Sequence, residues 1–413
     1  MFEMDLAWDR AARSGPQPTT HILRVRLRPL AQNTAPTTLP LRLAIALDTS
    51  GSMAGTKLES AKAACRAVLA LLRAEDRFSL ATFGDTLQPL LHAIPGGDEQ
   101  AGDAASFNNL QALGVTRTDL ALDWLARALP AEHNTLRIAV LITDGHPTDA
   151  QGYPLPQAVP LLAQATDLGD RGITLHTVGL GDAADFHVGF LAELSDRGRG
   201  AFLYADTPQA LMPQLRTRLN RTHSIVVADS ELQLVALVPG VQIAAACRLR
   251  PEFLPLSPST QTEPMELALP ALAGDAPTDL LLSVTVPPPA FGESLGLRDV
   301  LEVRLRMSDT SICGIASMTS TASYREAQQL TEEVNQDRLS WELNTYSTAL
   351  TRTTDTHRTS ALLSDIAYTA RRTGRSDLAQ QAAQELDSLQ RTGAVNPHAS
   401  ASLLTSTREL GGR

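Results

Sequence analysis

The sequence of residues 41–53, LRLAIALDTSGSM, decides the fold class of the chain. Its first seven residues form a nearly continuous apolar run that ends at Asp48, which is typical of a strand buried on both faces of a parallel sheet. A second run of this kind, LRIAVLIT at residues 136–143, ends directly before Asp144. Apolar residues at spacings of three and four predict a helix over residues 57–73. Both aspartates therefore lie at carboxyl ends of strands, where open α/β sheets bind ligands.

Strand and helix patterns continue to alternate as far as residue 220. The further strands are predicted at residues 77–83, 173–178 and 201–204. The further helices are predicted at residues 119–129, 155–168, 186–195 and 208–219. Such alternation is typical of a parallel sheet covered by helices on both faces. We therefore predict a doubly wound, mostly parallel α/β domain over residues 38–220.

The patterns on either side of this domain indicate a second fold. Short strands separated by Pro, Gly and Ser are predicted at residues 224–237, 242–249, 280–286 and 300–307. They predict an antiparallel β-sandwich over residues 221–320. Residues 1–37 form a polar lead followed by a strand at residues 21–30, in which apolar residues alternate with three arginines. We expect this strand to join the sandwich, so that the α/β domain is an insertion, and we interpret Arg24, Arg26 and Arg28 as its solvated face.

Helical spacing returns in residues 321–413, where glycines at 374 and 393 mark turns. We predict a helical region there. Two interpretations remain open for it, because the helices either cap the core or form a tail that binds a partner.

Composition narrows the functional classes. The chain has 413 residues, of which 43% are hydrophobic and 19% charged, and its net charge is −10. An acidic chain is poorly suited to nucleic acid or to an anionic membrane surface, because both require a basic footprint. The three widely spaced cysteines predict neither a disulfide framework nor a zinc site. No secretory signal or apolar span of about 18 residues is visible, so we expect a cytoplasmic protein without membrane insertion.

The loop after the first buried strand contains three candidate metal ligands. Asp48, Ser50 and Ser52 are spaced by two on this loop, and their oxygens are hard ligands suited to Mg²⁺, Mn²⁺ or Ca²⁺. Thr118 stands directly before a predicted helix, and Asp144 ends the second buried strand. Each feature has a plain structural alternative, since serine caps helices and Asp-Gly forms turns. Taken together, the five residues predict a site for one divalent cation.

These residues resemble the metal-ion-dependent adhesion site of the von Willebrand factor A domain. The resemblance implies that Ser50 and Ser52 contact the cation directly and that Asp48 and Asp144 hold it directly or through water. Many family members carry Gly-Gly-Thr where this chain has Gly-Val-Thr-Arg-Thr at residues 114–118. We expect Thr118 to be the third hydroxyl ligand, with Thr116 as the second choice.

The same resemblance implies a function. In the family, an acidic side chain of a partner protein fills the open coordination position of the cation. We expect the rim that contacts this partner to include Met53, Gly145, His146 and Thr116. The layout of the whole chain also resembles soluble bacterial proteins related to the calcium-activated chloride-channel and inter-alpha-trypsin-inhibitor groups.

The leading hypothesis is therefore a non-enzymatic adaptor that binds a protein partner through a cation, with magnesium first and manganese or calcium as alternatives. One competing hypothesis is a metal-dependent hydrolase or phosphatase that uses a cation held by Asp48 and Asp144. Another is a scaffold that acts through its helical tail. The sequence leaves the partner, the resident metal and the oligomeric state open.

Overall fold

The computed structural model describes residues 2–30, 38–98, 105–155, 158–257, 264–290, 293–307 and 310–408. These residues form two compact units. The first, which we call the α/β unit, contains the described residues of Thr38–Ala228 and Ala394–Thr405. The second, which we call the sandwich unit, contains those of Met1–Thr37, Asp229–Gly393 and Ser406–Arg413.

The strands in chain order are β1 (Phe2–Trp8), β2 (Ala12–Arg13), β3 (Thr19–Pro29), β4 (Leu41–Asp48), β5 (Arg77–Phe83), β6 (Leu87–Pro95), β7 (Leu136–Thr143), β8 (Thr174–Leu180), β9 (Arg199–Ala205), β10 (Ile225–Val227), β11 (Ser230–Ala236), β12 (Gln242–Arg250), β13 (Leu254–Leu256), β14 (Met265–Leu269), β15 (Leu272–Ala273), β16 (Thr278–Val286), β17 (Gly296–Met307) and β18 (Thr310–Ser320). The helices are α1 (Thr56–Leu71), α2 (Ala105–Asn108), α3 (Thr118–Ala128), α4 (Val159–Asp170), α5 (Val188–Arg197), α6 (Pro208–Thr222), α7 (Tyr324–Ala327), α8 (Glu332–Leu350), α9 (Thr356–Arg372), α10 (Ser376–Thr392) and α11 (Pro397–Arg408).

The α/β unit is built on a sheet of strand order β6-β5-β4-β7-β8-β9. All neighbouring strands are parallel except β5 and β6, which are antiparallel. This confirms the predicted α/β fold. Strands β4 and β7 are neighbours near the centre of the sheet, and their apolar residues are buried. Their carboxyl ends therefore lie side by side, which places Asp48 beside Thr143 and Asp144.

The sandwich unit contains two five-stranded sheets in its described residues, of order β1-β3-β16-β12-β13 and β14-β11-β17-β18-β2. Strand β3 pairs with β16, so the predicted N-terminal strand joins this fold and the α/β unit is an insertion in the chain. The interpretation of residues 1–20 as a polar lead is wrong, because Phe2–Trp8 forms a strand that pairs with β3. The sheets face each other where Trp8 Nε1 donates to the Ser317 carbonyl at 2.9 Å.

The arginines of β3 do not form a solvated face. Arg24 is 3% exposed, and its guanidinium pairs with Glu333 at 2.8 Å and Asp337 at 3.4 Å, both on α8. Arg26 also pairs with Glu333, at 2.7 Å. Only Arg28 is exposed as expected. Helix α8 covers this side of the sheet, and its carboxylates compensate the cost of burying the arginines.

The C-terminal helices belong to both units. Val334 and Trp341 of α8 pack on apolar residues of the β3-β16-β12 sheet, including Ile22 and Leu281. In contrast, the first residues of α11 belong to the α/β unit, where His398 Nδ1 lies 2.9 Å from the Tyr204 hydroxyl. No helix among the described residues is both long and apolar enough to cross a membrane.

Asp279 of β16 anchors the ionic network under α8. Its fully buried carboxylate accepts hydrogen bonds from Arg26 Nε at 2.7 Å and from Arg250 Nη1 at 2.6 Å. Burial alone would raise the pKa of Asp279, but these two arginines outweigh burial and leave the pKa lowered. The neighbouring Asp337 differs, because burial raises its pKa more than Arg250 lowers it.

The Asp279 network predicts an acid-sensitive sandwich unit. A carboxyl group with a lowered pKa in the folded chain stabilises it above the ordinary aspartate pKa, and this contribution is lost as pH falls through the folded-state pKa. Asp279→Asn should lower the free energy of unfolding at pH 7 by about 3 kcal/mol, because two partly buried arginines each lose one of their two partner charges. Between pH 5 and 3 it should lose less stability than the parent.

Urea unfolding followed by tryptophan fluorescence measures this difference. A Trp124→Phe background restricts the signal to Trp8 and Trp341, which both lie in the sandwich unit. Equal slopes of stability against pH in the two proteins would contradict the assignment.

Candidate metal centre

Asp48 ties the ends of two central strands together. Its Oδ2 accepts a hydrogen bond from the Thr143 hydroxyl at 2.6 Å, and its Oδ1 accepts one from the Ser50 backbone N–H at 2.7 Å. The side chain is fully buried. Burial raises the pKa of Asp48 to about 6, and the nearby Asp144 adds to this effect while the hydrogen bonds from Thr143 and Ser50 oppose it. The carboxylate thus holds the start of the serine loop in place.

Three of the predicted ligands converge above Asp48. The Ser50 and Ser52 hydroxyls are 3.2 Å apart, and Ser52 Oγ donates to Asp144 Oδ1 at 2.7 Å. Asp144 is fully buried and follows β7, whereas the serines follow β4. The loop between the serines and α1 turns at Gly55, which has a φ of 81° that favours glycine. The structure therefore brings together the two ends of the predicted motif.

The two candidate threonines lie in different surroundings, and Thr116 is the one whose hydroxyl borders the serine loop. A Cβ built on Gly145 would lie 3.2 Å from Thr116 Oγ1 and 3.6 Å from Ser52 Oγ, so both hydroxyls border the same backbone position. In the described part of the chain, no hydrogen bond joins the Thr118 side chain to the serines or to Asp144. Helix α3 begins at Thr118 itself, so the residue expected to precede the helix is already its buried first residue.

Thr116 is held rigidly by the next loop. Its backbone N–H donates to Thr148 Oγ1 at 2.9 Å, and its carbonyl accepts from the Thr148 backbone N–H at 2.9 Å. The Thr118 N–H also donates to the Thr116 carbonyl, at 3.0 Å. These bonds fix Thr116 in an extended segment two residues before the helix.

Lys57 also contacts the centre, although the sequence motif did not predict it as a site residue. Its Nζ lies 2.7 Å from Asp144 Oδ2 and 3.4 Å from Asp185 Oδ2. Burial alone would lower the pKa of Lys57, but the two carboxylates outweigh burial and raise it. The ammonium group therefore neutralises part of the negative charge at Asp144. Its place in the first turn of α1, just after the serine loop, was the available sequence signal.

The four residues predicted for the rim differ in exposure. Met53 is fully buried, so its assignment to the rim is wrong. Thr116 is 5% exposed. His146 is exposed, with its ring centroid 6.5 Å from that of His187, and Gly145 is partly exposed beside it. Burial and the neighbouring His187 lower the pKa of His146.

The donor set fits a hard divalent cation. Ligands at the Mg²⁺–oxygen distance in an octahedron are separated by about 2.9 Å, and the hydroxyl and carboxylate oxygens here are 2.7 and 3.2 Å apart. Across the described residues, no group of three or more His, Cys, Asp or Glu side chains could hold a metal. A cation at this centre would be held by the hydroxyls of Ser50 and Ser52 together with Asp144, with Asp48 beside them and Thr118 or Thr116 as the further hydroxyl ligand.

Comparisons with known proteins agree with this fold. A family model described as the von Willebrand factor type A domain matches residues 43–146. The chain is 24% identical over 318 residues to the protein sll0103 of Synechocystis sp.. The aligned residues cover 70% of this chain and 73% of that protein. It is 30% identical over 211 residues to human inter-alpha-trypsin inhibitor heavy chain H6, covering 47% of this chain but only 15% of the heavy chain.

A solved structure, the von Willebrand factor type A protein from Catenulispora acidiphila, shares the fold of the whole chain. The TM-score is 0.80 at 17% sequence identity, and the match covers 100% of this chain and 97% of the other. Domains of this type commonly mediate protein–protein interaction. The family match over the first buried strand, the serine loop and β7, together with the shared fold, shows that this chain carries a von Willebrand factor type A domain.

Proposed function

We propose that the chain is a protein-binding module whose candidate metal centre holds a divalent cation and binds a carboxylate of a partner protein. The observation that carries this proposal is that the Ser52 hydroxyl donates to Asp144 while the Ser50 and Thr116 hydroxyls lie beside it, although three separate loops supply these residues. Magnesium is the cation we propose, and manganese or calcium would suit the same oxygen ligands.

Charge explains why the remaining ligand would be acidic. Asp48 and Asp144 supply two negative charges at the centre, and Lys57 compensates part of the charge on Asp144. Adding a divalent cation leaves an excess of positive charge, which favours one more anionic oxygen. Metal binding by the chain alone is then weak, and it becomes stronger when the partner carboxylate is present.

The hydrogen bonds at the centre argue against hydrolysis. Both oxygens of Asp48 accept protein hydrogen bonds, from Ser50 and Thr143, and both oxygens of Asp144 accept from Ser52 and Lys57. With a cation bound, both carboxylates would be engaged in holding it and the serine loop, so we assign neither of them as the general base that hydrolysis requires. We propose a binding role without catalysis.

A cation-dependent capture experiment tests the function. The full chain is immobilised, exposed to lysate with Mg²⁺ and eluted with EDTA, and the eluted proteins are identified. A specific protein should be retained by the parent chain and lost with Asp48→Ala. The captured protein should lose binding when one of its Asp or Glu side chains is changed to the amide. Phosphate-ester turnover that depends on Mg²⁺ and disappears with Asp48→Ala would contradict the proposal in favour of an enzyme.

The two threonines provide a matched pair of variants. Thr116→Val removes a hydroxyl at the centre and should weaken Mn²⁺ binding by at least about tenfold, whereas Thr118→Val should leave it within about twofold. Both residues are buried, and both changes keep the shape of the side chain. Water-proton relaxation with Mn²⁺ measures the affinity. A larger loss of Mn²⁺ affinity in Thr118→Val than in Thr116→Val would identify Thr118 as the ligand.

Lys57 should weaken cation binding, because its ammonium group competes for Asp144. Lys57→Met is expected to strengthen Mn²⁺ binding by about tenfold. The same variant should have a lower Tm without cation, because Asp144 Oδ2 then lacks a partner, and a larger rise in Tm when Mg²⁺ is added. Lys57→Arg keeps the charge and serves as the control. Unchanged Mn²⁺ affinity in Lys57→Met would refute this role.

A further inference from the structure

Two large apolar side chains stand exposed on the loops around the candidate metal centre. Leu113 is 77% exposed and Tyr153 is 70% exposed, and Val115 lies between them in a partly exposed position. We call these three residues the apolar rim. Single exposed apolar residues are common on protein surfaces, and these three are distinguished by where they lie and how they are held.

The loop that carries Leu113 lies directly on the serine loop. The Leu113 backbone N–H donates to the Thr49 carbonyl at 2.7 Å, and Thr49 is the residue between Asp48 and Ser50. The next residue, Gly114, accepts a hydrogen bond from the Gly51 N–H at 3.1 Å. Leu113 is therefore attached by its own backbone to the loop that supplies the serine hydroxyls.

Tyr153 lies in a second loop that packs on the first. A Cβ built on Gly152 would lie only 2.9 Å from Val115 Cγ1, so the two loops meet next to Tyr153. Asp149 Oδ1 accepts the Tyr153 backbone N–H at 2.9 Å, and the Asp149 N–H donates to the Tyr153 carbonyl at 2.9 Å. The backbone under this exposed ring is thus held by two hydrogen bonds.

Charged groups near the rim restrict what it can bind. Arg117 makes two hydrogen bonds to Asp119, at 2.8 and 2.7 Å, which neutralise its charge. Asp85 is exposed and accepts the Val115 N–H at 2.9 Å, and Asp149 lies beneath Tyr153. The surroundings of the centre are therefore acidic and apolar, and they disfavour a ligand that carries a run of negative charges.

We propose that the apolar rim binds large apolar residues adjacent in sequence to the acidic residue of the partner. The ligand is then a protein segment with one Asp or Glu flanked by residues such as Leu, Ile or Phe, and not an acidic stretch. This inference rests on the proposed function, because it requires the cation to bind the acidic side chain. It adds that the rim contributes affinity and selects the neighbouring residues.

Selection of random peptides tests the inference. A phage library of random 12-residue peptides is panned on the full chain with Mg²⁺ and eluted with EDTA. The parent chain should enrich peptides with a single acidic residue beside a large apolar one. The variant Leu113→Ser/Tyr153→Ser should keep the acidic residue and lose the apolar preference, and its affinity for the parent's peptides should fall about tenfold or more.

The controls separate the two proposals. Leu297→Ser/Tyr368→Ser removes residues of similar exposure, 73% and 61%, in the sandwich unit and should select the same peptides as the parent chain. Thr116→Val should yield fewer EDTA-eluted peptides, with the same apolar preference. If the parent chain enriches acidic peptides that show no preference for apolar neighbours, this inference is overturned and the proposed function is left intact. No EDTA-dependent enrichment by the parent would overturn both.

Discussion

The hydrogen bonds of one buried carboxylate connect the fold of the α/β unit to its site. Asp48 ends the central strand β4, and it is stable there only because Thr143 on the neighbouring strand and the Ser50 amide donate to it. Those same bonds fix the direction in which the chain leaves the strand. The positions of Ser50 and Ser52 therefore follow from the hydrogen bonds that stabilise the buried Asp48 carboxylate at the carboxyl end of a central strand.

Asp144 is a second buried carboxylate at the ends of the central strands, and a lysine compensates its burial. It is also fully buried, and the Lys57 ammonium group lies 2.7 Å from its Oδ2. The Lys57 ammonium group stabilises the buried Asp144 carboxylate in the folded chain. By the same contact, it would compete with a cation for that carboxylate. In the proposed function, this competition would keep metal affinity modest until the partner carboxylate supplies a further ligand.

The sequence predicted what is encoded locally and missed what is decided by distant contacts. Continuous apolar runs predicted the parallel sheet and the places of Asp48 and Asp144, because strand direction determines where strands end. The period-two pattern of Phe2, Met4, Leu6 and Trp8 was a visible signal for β1 that went unused. Thr118 was ranked above Thr116 because it directly precedes the predicted helix, and the bond from the Thr116 N–H to Thr148 in another loop could not be seen in the sequence. The burial of Arg24 was not predictable, because its partners lie more than 300 residues further along the chain.

The net charge of the chain, −10, bears on how an acidic ligand would be recognised. At distances beyond about 10 Å the overall field repels a negative partner, and salt reduces this repulsion. In the proposed function, attraction would arise only at short range, where the cation would reverse the sign of the charge at the centre. Long-range steering therefore cannot supply the affinity, which has to come from direct coordination and from burial of apolar surface. Leu113 and Tyr153, held exposed on hydrogen-bonded loops beside the centre, provide apolar surface that does not depend on charge.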